Sequence, residues 1–520
     1  MVIAAEFFLF DQYGARRHTA VFPRWHDQVQ YLSESYTGHE FARSRGIVAG
    51  LLNALTNSSA QGTLHDFYAI FVFYFAGPSR SAALSVNLLA LVAWQIALFV
   101  ATTRMIGSRA LALASAMLPL ALVGPWQNIP GSAYDFRLDH LAMCSLGITA
   151  CVGVLTNGFR SYRAVTWFGV AVGVTILTRF LTGTYFALIF AGLALWIFLG
   201  ADRKPRLLQL LRAGLISAAI AGPFLWLNFN ELREYYWIGH YVGPESAIRN
   251  PNMGIGRSLR FVFEQLGIRH LGIFFGILAL AAAVVLAAVR KRNQQSTSGS
   301  WWMIGAIFLC SPLLILTLHP QKSEVVVSAL VPGVIVLCVA AWNHAARRTI
   351  TVVEWIVSIA IVLATVGVFA RSQMAVAYSP SIQEDIRRVN TLADQIFARS
   401  QEASLKPPRI SVDYVTDAFD AHAFRVIVYE RKRVWIPFDI RLPTGIGEPS
   451  DALVMERLKE SDFVFLTESD AAGIYPFDKK LAAMRPQLRE WCDLNLRGVE
   501  RFTLLGRRMV LYQRREIPFP

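Results

Sequence analysis

Between Arg80 and Arg104 run 23 residues without a charge. As an α-helix they measure about 35 Å, enough to cross the hydrocarbon core of a bilayer with some tilt. Further stretches of this kind follow, and the reading is ten spans, near 81–103, 110–124, 138–156, 164–181, 184–201, 213–229, 270–289, 301–318, 325–343 and 352–370. A chain of 520 residues that is 54% hydrophobic, with mean hydropathy +0.41, is not a soluble globular protein.

The net charge of +14 does not mark a nucleic-acid partner. From Arg371 onward there are 23 basic and 21 acidic residues, a balance of +2; the first 370 carry the other 27 and 15, a balance of +12. Much of that excess sits in short loops between spans: Arg104/Arg109, Arg160/Arg163, Arg203/Lys204/Arg206/Arg212, Arg290/Lys291/Arg292 and Arg347/Arg348, opposed only by Asp202. Bases gathered in alternate loops set topology, with these loops cytoplasmic. Residues 1–80, 125–137, 230–269, 318–324 and everything after 371 then fall outside.

This orientation calls for a span before residue 11. Met1–Phe10 is apolar but too short to cross, so the expectation is a first span upstream of Met1; the alternative is an interfacial segment. Residues 1–80 read as an outer loop with a helix along the membrane surface, Phe67–Ala76 being about half a span, interfacial or re-entrant. Residues 81–370 form the transmembrane domain and 371–520 a soluble extracytoplasmic domain. In this tail Ser381–Ala403, Pro449–Glu460 and Pro476–Asn495 read as helices. Arg409–Tyr414, Phe424–Tyr429 and Asp462–Leu466 read as strands, and a hairpin closes at Gly506. Alternating strands and helices make this a small α/β domain. The fold class is thus a polytopic α-helical membrane protein with a C-terminal α/β domain. Of five cysteines, four lie in spans and Cys492 in the tail, so the tail has no disulfide framework.

The polar residues of the outer loops are the candidates for chemistry. Asp27 lies in Trp25-His26-Asp27-Gln28 with Tyr31 following; it suits a base flanked by aromatics that hold sugar rings, and equally a helix cap. Asp135 and Asp139, in Tyr134-Asp135-Phe136-Arg137-Leu138-Asp139, share a face if helical, with Arg137 pointing elsewhere. They suit a divalent cation or an Arg-paired site; the bland reading has Asp135 capping a helix from Phe136. Arg179 is a base on the outer side, suited to a phosphate or to snorkelling. Lys322 sits in the short loop His319–Glu324 as a compact charge suited to phosphate oxygens, or paired with Glu324; His319 there can titrate. Asn230–Glu245 carries Tyr, Trp and His that anchor at the interface or stack on a sugar. Asp27, Asp135, Asp139, Arg179 and Lys322 are expected around one cavity. No GxGxxG or P-loop is present, so no nucleotide is expected through those motifs.

These residues resemble the GT-C integral-membrane glycosyltransferases, particularly the protein O-mannosyltransferase, aminoarabinose-transferase and RgtA/B/C/D-like branch. The resemblance covers about residues 20–345. It rests on Trp25-His26-Asp27-Gln28 with Tyr31, Gly62-Thr63-Leu64-His65-Asp66, Gly77-Pro78-Ser79-Arg80 through Asn87, Asp135–Asp139, and Lys322 with Pro332. Gln28 departs from the usual Asp-Glu of the first loop. The resemblance implies a sugar moved from a polyprenyl-phosphate donor to a lipid, glycan or protein acceptor at the outer face of the inner membrane. The enzyme would be a hexosyl- or pentosyltransferase. Asp27 would be the general base; Asp135 or Asp139 would orient the acceptor or, with Asp27, hold Mg or Mn where a cation is used. Arg179 and Lys322 would bind the lipid phosphate, and Arg137, His319, Tyr31 and Asp66 would complete the substrate site. Membrane lipid is the expected partner; nucleic acid and nucleotide are not. The rival readings are a transporter or flippase of a lipid-linked glycan, an O-antigen-ligase-like enzyme and a non-catalytic scaffold.

Overall fold

The computed structural model describes residues 2–20, 26–57, 59–127, 129–242, 246, 253–288, 299–346, 351–374, 380–405, 407–413, 421–436, 450–468 and 476–515. Trp25, Arg290, Lys291, Arg292, Arg347 and Arg348, all used above, lie outside the described residues. The chain divides into two units. The first comprises Met1–Ala15, Gly38–Gly77 and Ser81–Val376; the second comprises Arg16–Thr37, Pro78–Arg80 and Ala377–Pro520.

The principal helices up to residue 374 are α1 Val2–Leu9, α2 His26–Arg45, α3 Ile47–Thr56, α4 Leu64–Ala76, α5 Arg80–Ile106, α6 Arg109–Met117, α7 Leu138–Leu155, α8 Tyr162–Thr178, α9 Thr182–Phe198, α10 Arg203–Leu227, α11 Ile255–Glu264, α12 Gly272–Ala288, α13 Gly299–Leu318, α14 Val331–Ala346 and α15 Thr351–Met374. Each of the ten expected spans falls on one of these helices. Among the described residues seven helical segments are long and apolar enough to cross a membrane: Arg80–Ile106, Leu138–Leu155, Arg203–Leu227, Ile255–Val285, Gly299–Leu318, Val326–Ala345 and Thr351–Met374. The other three expected spans are shorter. Tyr162–Thr178 and Thr182–Phe198 have 17 residues each, at the lower limit for crossing. Arg109–Ala121 is shorter still. Within the apolar start of the chain Val2–Leu9 forms α1, which is tied down by a hydrogen bond from Gln95 to the buried Glu6; next to it, Phe10 stacks on Tyr134.

Burial separates centre from periphery. The apolar window of α7 is 78% buried and that of Val326–Ala345 is 72% buried, against 17–22% for Ile255–Val285, α10 and α15. The outer helices therefore turn residues such as Leu280, Leu363 and Trp226 outward. Surface of that kind is costly in water and matched by hydrocarbon. The centre is α7, packed on α8, α13 and α14. It approaches α5 so closely that a Cβ at Gly147 would lie 2.2 Å from the buried Trp94 ring. Gly147→Ala is expected to destabilise the helical unit by ~1–3 kcal/mol, through displacement of a rigid ring that has nowhere to go. Thermal unfolding in detergent checks this; an unchanged midpoint would mean that the two helices adjust freely.

The second unit holds α16 Pro380–Glu402, β1 Ile410–Val412, α17 Ala421–Lys432, α18 Asp451–Glu460, β2 Phe463–Thr467, α19 Pro476–Asn495, β3 Leu496–Leu504 and β4 Arg507–Arg514. The sheet order is β1-β2-β4-β3, with β1 parallel to β2 and the remaining pairs antiparallel. Leu504 pairs with Arg507 across a two-residue turn in which Leu505 and Gly506 both have positive φ. This is the type I′ turn that matches strand twist. Val464, Leu466, Leu481, Leu488 and Val510 form the core between sheet and helices.

One element of the tail is corrected. Phe424–Tyr429 is not a strand but the middle of α17. Its β-branched run is buried almost throughout, with Phe424 against Phe465 and Tyr429 stacked on Tyr36. Tertiary packing on two sides overrides the local β preference.

Candidate functional site

The first unit gathers four of the expected charges at one end of its helices. The loop before α7 is folded tightly on itself. Ala133 N donates to Pro125 O (2.9 Å), Asp135 N to Ser132 O (3.2 Å) and Gly131 N to the Asp135 carboxylate (2.6 Å). Asn87, buried in α5, donates through Nδ2 to the carbonyls of Ala133 (3.2 Å) and Asp135 (3.0 Å). Gly131 is required twice over. Its φ is +78°, and a Cβ there would lie 2.4 Å from Val325 Cγ1 and 3.4 Å from Asp139 Cβ. The loop is thereby wedged between the start of α7 and the segment that follows His319–Glu324.

Asp135 does not cap a helix beginning at Phe136. The helix begins at Leu138, with Arg137 extended before it, so Asp135 and Asp139 do not share a helical face. Asp135 is fully buried and pairs with Arg137 (Nε to Oδ2, 2.9 Å). Asp139 lies in the first turn of α7, where a carboxylate complements the helix dipole, and pairs with Arg179. Arg179 directly follows the last turn of α8, where the same dipole favours a cation.

The backbone on either side of Arg179 is held by a second segment. Residues 59–63 run beside it, Thr63 N donating to Leu177 O (2.9 Å) and Phe180 N to Gln61 O (2.7 Å). Gln61 in turn donates to Tyr235 Oη (3.1 Å). His65 lies under Phe136, the rings 3.9 Å apart, with Asp66 beside it: His65 Nδ1 and Asp66 Oδ1 are 4.0 Å apart. Asp66 is thus one ring away from the Asp135–Arg137 pair.

The loop carrying His319 and Lys322 is in the same unit. The Lys322 ammonium turns back and donates to the carbonyls of Leu316 (3.0 Å), Thr317 (3.0 Å) and His319 (2.5 Å), closing the C-terminus of α13. It forms no pair with Glu324, which meets Arg269 at 2.6 Å. Burial lowers the pKa of both Lys322 and His319. The His319 ring meets His240 (5.7 Å) and Tyr241 (5.3 Å) of a π-helical stretch, Arg233–Val242. Trp237 and Tyr241 stack on each other and are exposed, whereas Tyr235 and Tyr236 pack against His240.

Below the Asp139–Arg179 pair lies an apolar cavity of about 380 Å³ between α4, α5, α7 and α8. Tyr68, Phe71, Leu89, Leu141, Ser145 and Thr175 are among its walls. Leu141 is two residues from Asp139, and Thr175 one helical turn before Arg179. Phe71 and Leu89 are half exposed, so the cavity opens sideways on the apolar surface. Sequence reading missed this cavity, whose walls come from four separated helices, and missed Gln61. An Asn within an otherwise apolar span was the available signal for the support from Asn87.

Asp27 and Tyr31 lie in the second unit. Asp27 is half-buried in the first turn of α2, and Tyr31 is buried one turn further on. Among the described residues no three His, Cys, Asp or Glu side chains gather as a metal site. Asp135 and Asp139 each face a guanidinium, so this pair does not fit a divalent cation.

No family model matches the chain, and no curated protein matches it in sequence. Solved structures do match. ArnT from Cupriavidus metallidurans, bound to undecaprenyl phosphate, aligns with 98% of this chain and 96% of its own at TM-score 0.58 and 13% identity. Its apo state gives TM-score 0.57 and 12% identity over the same shares. The chain therefore has an ArnT-like fold: a multi-pass helical membrane protein with a C-terminal α/β domain.

Proposed function

We propose that this protein is a membrane glycosyltransferase that takes its sugar from a polyprenyl-phosphate donor. The observation that carries the reading is a charged pair, Asp139–Arg179, at the ends of two helices whose adjoining residues, Leu141 and Thr175, line the apolar cavity of α4, α5, α7 and α8. That division matches an amphiphile with an anionic headgroup and a long hydrocarbon tail. The neighbour ArnT, whose solved structure holds undecaprenyl phosphate, supports the same class of donor.

In this reading Arg179, with Arg137, binds the donor phosphate and stabilises the charge that develops on it as the glycosidic bond breaks. Lys322, whose ammonium is engaged by three carbonyls, fixes the loop that adjoins Gly131. Asp135 and Asp139 hold the two guanidinium groups, Asp66 stands behind His65 and Phe136 beside them, and His319 contributes to substrate binding from its own loop. Asp27 removes the proton from an acceptor hydroxyl as it attacks the anomeric carbon, with Tyr31 supporting it. One displacement by one base inverts the anomeric centre. The acceptor is a hydroxyl of a lipid, glycan or protein at the outer face of the inner membrane, where the α/β domain is extracytoplasmic.

The test is transfer from a radiolabelled polyprenyl-phosphate sugar by purified protein. Arg179→Ala is expected to lower the rate by ~10²–10³-fold. Because this change strands a buried carboxylate, the double variant Asp139→Asn/Arg179→Ala is measured beside it. Persistent inactivity of the double variant, with an unchanged melting point, supports a phosphate-binding Arg179. Recovery of activity would make Arg179 only a partner of Asp139, and no transfer by wild type from any such donor would sink the reading.

A further inference from the structure

Within the second unit, three distant segments of chain meet at one carboxylate. Tyr36, on α2, donates its hydroxyl to Glu430 Oε1 (2.7 Å). Arg80 donates through Nε to Glu430 Oε2 (3.0 Å) and through Nη2 to Thr19 O (2.7 Å). Arg433 donates to Pro78 O (2.5 Å), and the Tyr36 ring stacks on Tyr429 at 4.9 Å. Tyr36 is completely buried, and the Arg80 and Glu430 side chains are 12% and 17% exposed.

Glu430, Tyr429 and Arg433 belong to α17 and its end, in the C-terminal α/β domain. Tyr36 belongs to the helix that carries Asp27. Nine residues separate Tyr36 from Asp27, about 13.5 Å along the axis and half a turn in phase. Fastening α2 by its Tyr36 side therefore fixes both the height and the rotation at which the opposite side presents Asp27. A charge-assisted bond on each carboxylate oxygen makes Glu430 a stiff fastening.

We propose that Glu430, together with Arg80, is a positioning residue for Asp27, so that the C-terminal domain takes part in the transfer reaction by orienting its base. This rests on the reading of Asp27 as the acceptor-activating group. The domain then has a task that needs no ligand of its own.

The experiment uses full-length protein in detergent and the labelled polyprenyl-phosphate sugar. Glu430→Ala is expected to lower kcat on the order of 10- to 100-fold while leaving the donor KM within twofold, as a misplaced catalytic group does. Glu430→Gln, which still accepts from Tyr36, should recover part of the loss, and Tyr36→Phe should show a smaller loss. In the Asp27→Asn background, Glu430→Ala should change the residual rate by less than about twofold, because its effect runs through Asp27. A wild-type rate in Glu430→Ala, or the same fold-loss with and without Asp27, overturns the inference and leaves the glycosyltransferase reading intact. An Asp27→Asn variant that transfers like wild type overturns the role of Asp27 and this proposal with it.

Discussion

Asp27→Asn is expected to abolish most sugar transfer, lowering kcat by ~10²–10⁴-fold with little change in the donor KM, the usual size of a general-base contribution. The substitution keeps the shape and hydrogen-bonding reach of the side chain and removes its ability to accept a proton. The residue is half-buried in the first turn of α2, so loss of a single charge there changes the helix-dipole term by less than about 1 kcal/mol and leaves the fold in place. Steady-state transfer assays over a range of acceptor concentrations separate the two effects. Rates equal to wild type would remove Asp27 from the chemistry; a raised donor KM at constant kcat would make it a binding residue instead.

Arg485→Ala is expected to unsettle the α/β domain by ~3–5 kcal/mol. Arg485, on α19, is 2% exposed, and its Nε lies 2.7 Å from the Asp413 carboxylate, which is wholly buried at the end of β1. Thr467 N, at 3.3 Å, approaches the same oxygen. Removing the guanidinium leaves an ion in an apolar interior that, among the described residues, keeps only Thr467 as a donor. Replacing both partners by apolar residues, Asp413→Leu/Arg485→Met, should restore most of the stability, since the pair itself contributes little beyond satisfying its own burial. Hydrogen exchange of the β2 amides gives the measurement. Exchange faster by ~10²-fold or more in Arg485→Ala, and near wild type in the double variant, is the expected pattern. Slow exchange in the single variant would mean that water reaches Asp413.

What the sequence disclosed and withheld follows from the range of the forces involved. Membrane spans are local statements, since twenty apolar residues in a row need no partner to be recognised, and the ten expected segments all fall on helices. The hairpin at Leu505-Gly506 is equally local. Phe424–Tyr429 failed because its conformation is decided by Phe465 and Tyr36, which are far away in the chain. Asp135, Arg137, Asp139 and Arg179 were recognisable as charges out of place at span ends. Their pairing was not, because Asp139 and Arg179 are joined only by the packing of α7 on α8. Lys322 shows the same limit from the other side. A lone cation in a short loop invites an anion, and only the folded loop reveals three carbonyls already around it. The apolar cavity had no linear signature at all.

In the proposed function, the two arginine–aspartate pairs have a consequence for how the headgroup site distinguishes its lipid. Each cation is matched by a carboxylate, so the four side chains sum to zero charge. A phosphate that arrives from the bilayer must compete with a built-in anion, and binding becomes an exchange of one counter-ion for another. The proposed donor is a phosphodiester and brings the same single phosphate charge as the abundant anionic phospholipids, so the exchange of counter-ions alone favours neither. A donor whose sugar and chain fill the site gains what a diacyl lipid does not. In the proposed reading, neutrality at rest thus shifts the discrimination from the charge of the lipid to its shape.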